Sequence, residues 1–302
     1  MVMDKLNSTH KDLYYLSVIK DGDVTLEKYY RQYSYPNYLV NIKSVSKILL
    51  ALGVGLAIED KKILDVNEPI NKILDCDADM TIADLLEMRG GVRWDESGQE
   101  FYDWLHSRKW LESYVQKFNP SLRGEKFFYA TPNAYILSVL LAKVSNMKAY
   151  DYISQKIFEP LGITKYFVQE SPEGYEYGGS EFYIAPRDLV KVTKMLLDKG
   201  KYQGNSIVPY EWIKECFSEH VRLSESLVYG YFSFGYRKNN EHIIWVIPGT
   251  GGQYLFYYPE RKIGVVCASM ISDRYSAQDP LQMDIFKRLL KEVIALSHIM
   301  KL

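Results

Sequence analysis

The 302-residue chain predicts an α+β fold: one antiparallel sheet built from strands at both ends of the sequence, with helices in the middle. Three observations predict it. Aromatic and β-branched segments of strand length, bounded by turn residues, lie near both ends. Apolar residues at helical spacing fill the region between them. An amphipathic stretch of helical period, about 281–300, closes the chain.

The elements follow in order. Residues 13–20 and 24–30 are strand-like, and Asp21-Gly22-Asp23 between them is a turn signal, so the pair reads as a hairpin. Residues 44–59 read as a helix with an apolar run from Ile48 to Ile58. Thr81 caps a helix to about Met88, ended by Gly90-Gly91. Residues 99–117 look helical, with Trp104 and Leu111 inward. Helices are expected over 133–144 and over 150–158, the second ended by Pro160. Pro186 opens another helix, to about Lys199, and Pro209 a further one. Segments 228–237, 242–247, 253–258 and 263–270 then read as an antiparallel meander, separated by Asn239-Asn240, Gly249-Thr250-Gly251-Gly252 and Pro259-Glu260-Arg261-Lys262. The expected assembly pairs the N-terminal hairpin with this meander, and the 44–59 and terminal helices cover its faces. This gives a discontinuous sheet domain, 1–66 and 180–302, around an inserted and mostly helical domain, 67–179. The cleft between the two is the expected site.

Composition narrows the function. Net charge is −1 with no block of like charges, which argues against a nucleic-acid partner. Cys76, Cys216 and Cys267 are scattered, and five histidines show no paired spacing, so neither a thiolate nor a zinc site is expected. The apolar run from Ile48 to Ile58 is too short to span a bilayer, so membrane insertion is not expected. The first residues lack the apolar core of a signal peptide, which gives a cytoplasmic expectation.

The chemistry-bearing tetrad is Ser44-Val45-Ser46-Lys47. A serine followed three residues later by lysine occurs at four places, Ser8/Lys11, Ser17/Lys20, Ser44/Lys47 and Ser145/Lys148. Ser17 lies in an expected strand, where positions i and i+3 face opposite sides. Ser8 lies in a polar terminus, and Ser145 ends a helix. Only Ser44 opens a helix, where Lys47 shares its face and the first-turn N–H groups point at a developing oxyanion. Burial would bring the lysine toward the pKa of a useful base. The plainer reading makes Ser44 a helix cap and Lys47 a solvated residue.

Two further segments supply partners. Tyr129, in the loop before the helix at 133–144, places a phenol where it can act as a phenolate or pass a proton through Lys47, with Thr131 hydrogen-bonding in the same network. An aromatic plug followed by a helix-starting Pro132 explains the same residues. Gly249-Thr250-Gly251-Gly252-Gln253 leads into a strand. A backbone N–H there, from Gly252 or from Gln253 next to it, would complete an oxyanion hole with that of Ser44. An ordinary glycine-rich hairpin loop fits equally.

Taken together, Ser44-Val45-Ser46-Lys47, Tyr129-Ala130-Thr131 and Gly249-Thr250-Gly251-Gly252 resemble, in order, the three motifs of the serine β-lactamase and penicillin-binding-protein superfamily. The resemblance is to its class C-like branch of esterases, D-aminopeptidases and amide hydrolases. Flanking stretches agree: Thr81 to Leu86, Phe158-Glu159-Pro160-Leu161-Gly162-Ile163, and Gly178-Gly179-Ser180 through Leu189. The resemblance implies a β-lactamase/transpeptidase-like fold and a serine hydrolase that needs no cofactor or metal. It would cleave a small ester, amide or short peptide through a Ser44 acyl-enzyme, with Lys47 and Tyr129 relaying the proton. Thr250, Gly251, Gly252, Gln253 and Thr131 would contact substrate or oxyanion. Two departures stand out. Gly249 replaces the usual Lys or His, which weakens the alternative of a β-lactamase or D,D-carboxypeptidase proper. Thr131 replaces Asn or Ser but keeps a hydroxyl. A non-catalytic ligand-binding or regulatory module on the same fold is the third reading.

Overall fold

The computed structural model describes residues 13–30, 37–238, 242–269 and 286–291, with 293 and 295. Its strands are β1 (Leu13–Lys20), β2 (Asp23–Tyr29), β3 (Val40–Asn41), β4 (Tyr166–Val168), β5 (Phe182–Ile184), β6 (Lys201–Tyr202), β7 (Asn205–Ser206), β8 (Val221–Arg222), β9 (Leu227–Tyr229), β10 (Phe234–Lys238), β11 (His242–Gly249), β12 (Gln253–Tyr258) and β13 (Ile263–Ser269). Its helices are α1 (Lys47–Glu59), α2 (Ile82–Leu86), α3 (Gln99–His106), α4 (Trp110–Val115), α5 (Thr131–Ser145), α6 (Ala149–Ile153), α7 (Pro186–Leu197) and α8 (Tyr210–Cys216).

Among the described residues the main sheet has eight strands, in the order β2-β1-β13-β12-β11-β10-β9-β8. The hairpin β1–β2 therefore joins the C-terminal meander through β1 and β13, which run antiparallel with Leu16 opposite Cys267 and Lys20 opposite Ile263. This is the α+β arrangement that strands at both chain ends require. Two short sheets, β3-β5-β4 and β6-β7, complete the strands.

β12 and β13 are buried along their whole length because both sheet faces are covered. Their side chains alternate between two cores, as a period of two demands. Leu255, Tyr257, Val266 and Ala268 join the large cluster shared with α1 and α5. Tyr254, Phe256, Val265 and Cys267 face a second cluster with Leu289 and Val293. Residues 286–291 of the expected terminal helix are helical. Most of the rest of that stretch lies outside the described residues.

Four expected elements differ in outline. The 99–117 helix is two helices, α3 and α4, because Ser107 leaves helical geometry and Trp104 Nε1 donates to the Trp110 carbonyl across the break. The 228–237 strand is β9 and β10, parted by a turn with Phe232 at φ +57°. The 150–158 helix is α6 followed by a wider turn, in which Glu159 N donates to Ser154 O. The 81–88 helix is the shorter α2, and the Thr81 cap is present as a reciprocal box with Asp84. No helix among the described residues is long and apolar enough to cross a membrane.

Helix α1 is the hub. It is apolar on every side and buried from Lys47 to Ala57. Gly55 lies flat against Trp212: a Cβ there would sit 2.1 Å from Trp212 Cδ1. The indole is held by Nε1 donating to the Ala51 carbonyl at 2.9 Å. Alanine would gain about 1 kcal/mol of helix propensity but must displace the indole. Gly55→Ala is therefore expected to destabilise the fold by about 1–3 kcal/mol net, seen as a lower urea midpoint. An unchanged or raised midpoint would show that Trp212 is free to move.

Candidate active site

The chain enters α1 through a sharp turn. Lys43 takes φ +50°, an uncommon backbone state for a residue with a side chain. Neighbouring contacts fix it there: Lys43 N donates to Asn41 Oδ1 at 2.9 Å, and Lys43 Nζ pairs with Glu181 Oε1 at 2.5 Å. The turn, Lys43–Ser46, is a 3₁₀ segment whose axis runs on into α1, so Ser44 sits at the positive end of a buried helix.

The two serines of the tetrad have different roles. Ser46 is fully buried, and its one O–H is shared between the Lys43 and Gly178 carbonyls. It ties the turn to the 178–180 segment. Ser44 is half-buried and its Oγ opens onto the cleft.

Lys47 lies beneath Ser44 and is buried. Its Nζ donates to Ser44 Oγ at 2.7 Å, to the Gly179 carbonyl at 2.7 Å and to Thr131 Oγ1 at 3.1 Å. Burial pulls its pKa down to about 8, against the opposing pull of the Glu96 charge. The Tyr129 ring centroid is 5.2 Å from Nζ. Burial pushes the Tyr129 hydroxyl well above the usual phenol value, although a hydrogen bond with Ser44 works the other way. This environment favours the protonated phenol of Tyr129 over the phenolate. Its ring stacks on Phe234 at 6.2 Å.

Sequence reasoning missed Glu96. Its carboxylate receives the Thr131 hydroxyl on Oε1. Its Oε2 accepts Thr131 N at 3.0 Å and Trp94 Nε1 at 2.8 Å. Burial raises the Glu96 carboxyl pKa, while Lys47 and these donors hold it back. Thr131, the first residue of α5, thus bridges Lys47 and Glu96. The 35-residue separation of Glu96 and Thr131 left no local signal.

The third segment is placed as follows. β11 ends at Gly249, which pairs with Gln253, the first residue of β12. Gly251 and Gly252 make the turn at φ +86° and +82°, values that favour glycine. Gly249 packs on the Ser44 turn: a Cβ there would lie 2.5 Å from the Ile42 carbonyl oxygen and 3.3 Å from Lys43 Cβ. The side chain missing from this motif therefore has no room. Thr250 lines the cleft beside Ser44. Further along, the Gly252 carbonyl accepts Ser269 Oγ at 3.2 Å. The Gln253 side chain is buried and donates to Ser269 O at 2.7 Å, tying β12 to β13.

The cleft has two arms that meet at Ser44, Glu96 and Thr250. One, of about 340 Å³, is walled by Tyr129, Phe234, Tyr236, Val246, Pro248 and Phe286 and is mainly apolar. The other, of about 900 Å³, combines Phe101, Leu105 and Trp110 with Asp95, Gln169 and the Lys43–Glu181 pair. A nucleophile touching an amine, beside a phenol, in a partly desolvated cleft is an arrangement suited to acyl transfer.

Comparison with known proteins gives the family and the fold. Residues 14–289 match the family model described as Beta-lactamase. A 6-aminohexanoate-dimer hydrolase from Paenarthrobacter ureafaciens is 24% identical over 215 residues, covering 64% of this chain and 54% of the relative. Penicillin-binding protein 4* from Bacillus subtilis (strain 168) is 30% identical over 192 residues, covering 57% of this chain and 42% of that protein. The chain thus spans about half the length of these curated relatives. Among solved structures, an octameric penicillin-binding protein homologue from Pyrococcus abyssi shares the fold. Its TM-score is 0.79 at 21% identity, over 97% of this chain and 76% of that one.

Proposed function

We propose that this chain, which belongs to the Beta-lactamase family, is a serine hydrolase that cleaves a small ester, amide or short peptide through an acyl-enzyme on Ser44. The observation that carries this reading is the 2.7 Å contact between Lys47 Nζ and Ser44 Oγ at the floor of the cleft.

In the first half-reaction, neutral Lys47 takes the Ser44 proton as Oγ attacks the carbonyl carbon. Negative charge gathers on the carbonyl oxygen at the N-terminal end of α1. The Ser44 N–H supplies one donor to it. The second donor comes from the turn that carries Thr250 past Ser44, with the Gly252 N–H, or that of Gln253 next to it, as its source. The Tyr129 phenol, hydrogen-bonded to Ser44, hands a proton to the leaving group and regains one from Lys47. Water then enters, and the same groups work in reverse to release the acid.

The apolar arm fits a hydrocarbon or aromatic portion of the substrate. The occluded Gly249 position leaves no cationic side chain there for a substrate carboxylate. The expected result is therefore Ser44-dependent turnover of p-nitrophenyl esters or aminoacyl anilides, and much slower turnover of a chromogenic cephalosporin. A steady-state panel checks this. Cephalosporin hydrolysis at a rate equal to or above the best ester would instead favour a β-lactamase.

A further inference from the structure

An ammonium carries three N–H donors, and Lys47 Nζ directs them at three acceptors: Ser44 Oγ, the Gly179 carbonyl and Thr131 Oγ1. In this state Lys47 has no lone pair with which to accept the Ser44 proton. It must first give one up, and the three contacts differ in what they can receive. A backbone carbonyl does not hold a proton near neutral pH. Ser44 is the group to be deprotonated. Thr131 Oγ1 alone leads onward, because its own proton already points at Glu96 Oε1.

We propose that Glu96 is the proton acceptor that converts Lys47 into a base, through a two-step relay in which Lys47 Nζ–H passes to Thr131 Oγ1 as the Thr131 hydroxyl proton passes to Glu96 Oε1. The products are a neutral amine, an intact threonine hydroxyl and a carboxylic acid, so atoms and charge balance with no co-reactant. After the acyl group leaves, the relay runs backward. Glu96 thus acts through Thr131 and Lys47 rather than on the substrate, as a positioning residue for the base. This rests on the acyl-enzyme reading of Ser44 given above.

The surroundings suit this exchange. Glu96 Oε2 is anchored by Trp94 Nε1 and Thr131 N, which fixes Oε1 toward the hydroxyl. Burial disfavours both charges of the pair, which brings the ionised and neutral forms closer in energy. Among the described residues, the phenols Tyr114, Tyr129, Tyr177 and Tyr229 face Glu96, all raised by burial, and His106 lines the same arm of the cleft. Asp95 and the Lys43–Glu181 pair also line the cleft.

The test is the pH profile of p-nitrophenyl butyrate hydrolysis by Glu96→Gln, Thr131→Val and Thr131→Ser, with Ser44→Ala as the blank. Glutamine keeps the size of Glu96 but accepts no proton, so Lys47 must lose its proton to solvent. At about pH 6, Glu96→Gln and Thr131→Val are expected to lose roughly tenfold to a hundredfold in kcat/KM, the range of a single acid–base group. By about pH 9, where solvent takes that proton, the loss should close to within about threefold. Thr131→Ser, which keeps the hydroxyl, should track the unsubstituted protein throughout. Circular dichroism melts confirm that each variant is folded at the assay temperature. Unchanged activity, or a loss of the same size at every pH, overturns the relay while leaving the Ser44 reading intact. Absence of Ser44-dependent hydrolysis in the unsubstituted protein overturns both.

Discussion

Replacing Ser44 by alanine is expected to lower hydrolysis of a p-nitrophenyl ester by about a thousandfold or more, because it removes the hydroxyl proposed to carry the acyl group. The fold should tolerate the change. The contact of Ser44 Oγ with the Gly179 carbonyl is long, 3.5 Å, and Lys47 Nζ, which would lose Ser44 Oγ, keeps the Gly179 carbonyl and Thr131 Oγ1 as acceptors. The melting temperature is therefore expected to stay near that of the unsubstituted protein. Ser46→Ala provides the contrast. It removes a fully buried O–H shared between the Lys43 and Gly178 carbonyls, so its expected cost is about 1–2 kcal/mol of stability. If Ser46→Ala abolished turnover in folded protein while Ser44→Ala retained it, the roles of the two serines would be reversed.

The second large effect is expected at Gly249. Restoring the lysine typical of the motif it resembles, Gly249→Lys, should not restore a carboxylate clamp. The new Cβ would come within 2.5 Å of the Ile42 carbonyl and 3.0 Å of Gln253 Cβ. Both are anchored: Ile42 N donates to Phe182 O, and the Gln253 side chain is bonded to Ser269. The Ser44 turn is then the part that yields. A displacement of about 1 Å at a nucleophile costs on the order of a hundredfold in rate. Ester hydrolysis by Gly249→Lys is expected to fall by about that factor or more, with the protein still folded. A variant that kept its esterase rate and gained cephalosporin hydrolysis would show that glycine there is only a missing charge.

How much of this was legible in the sequence follows from the range of each contact. Ser44 and Lys47 are three residues apart at a helix entrance, so helical geometry alone brings them together. Tyr129 and Thr131 flank the start of α5, and the order of the motifs pointed to both. The sheet was legible because apolar segments of strand length at the two ends can be covered only by pairing with each other. Glu96 was not legible. A carboxylate in a polar loop looks solvated until tertiary folding brings Thr131 and Trp94 to it. The Gly179 carbonyl was equally hidden, because backbone acceptors leave no mark on residue identity. The third motif was legible as a segment but not as single residues. Which N–H faces the cleft depends on strand register, and a shift of one residue turns every group to the other side. Nor could the sequence tell that Gly249 is squeezed against Ile42, which gives its missing side chain a steric cause.

The central claim is that Ser44, activated by Lys47, is the acylated atom. The most direct measurement is intact-protein and peptide mass spectrometry after treatment with a fluorophosphonate. One phosphonyl group per chain is expected on the peptide carrying Ser44, with none on Ser44→Ala and greatly slowed labelling on Lys47→Ala. A fully folded protein that takes up no phosphonyl group, or takes it up elsewhere than Ser44, would contradict the account.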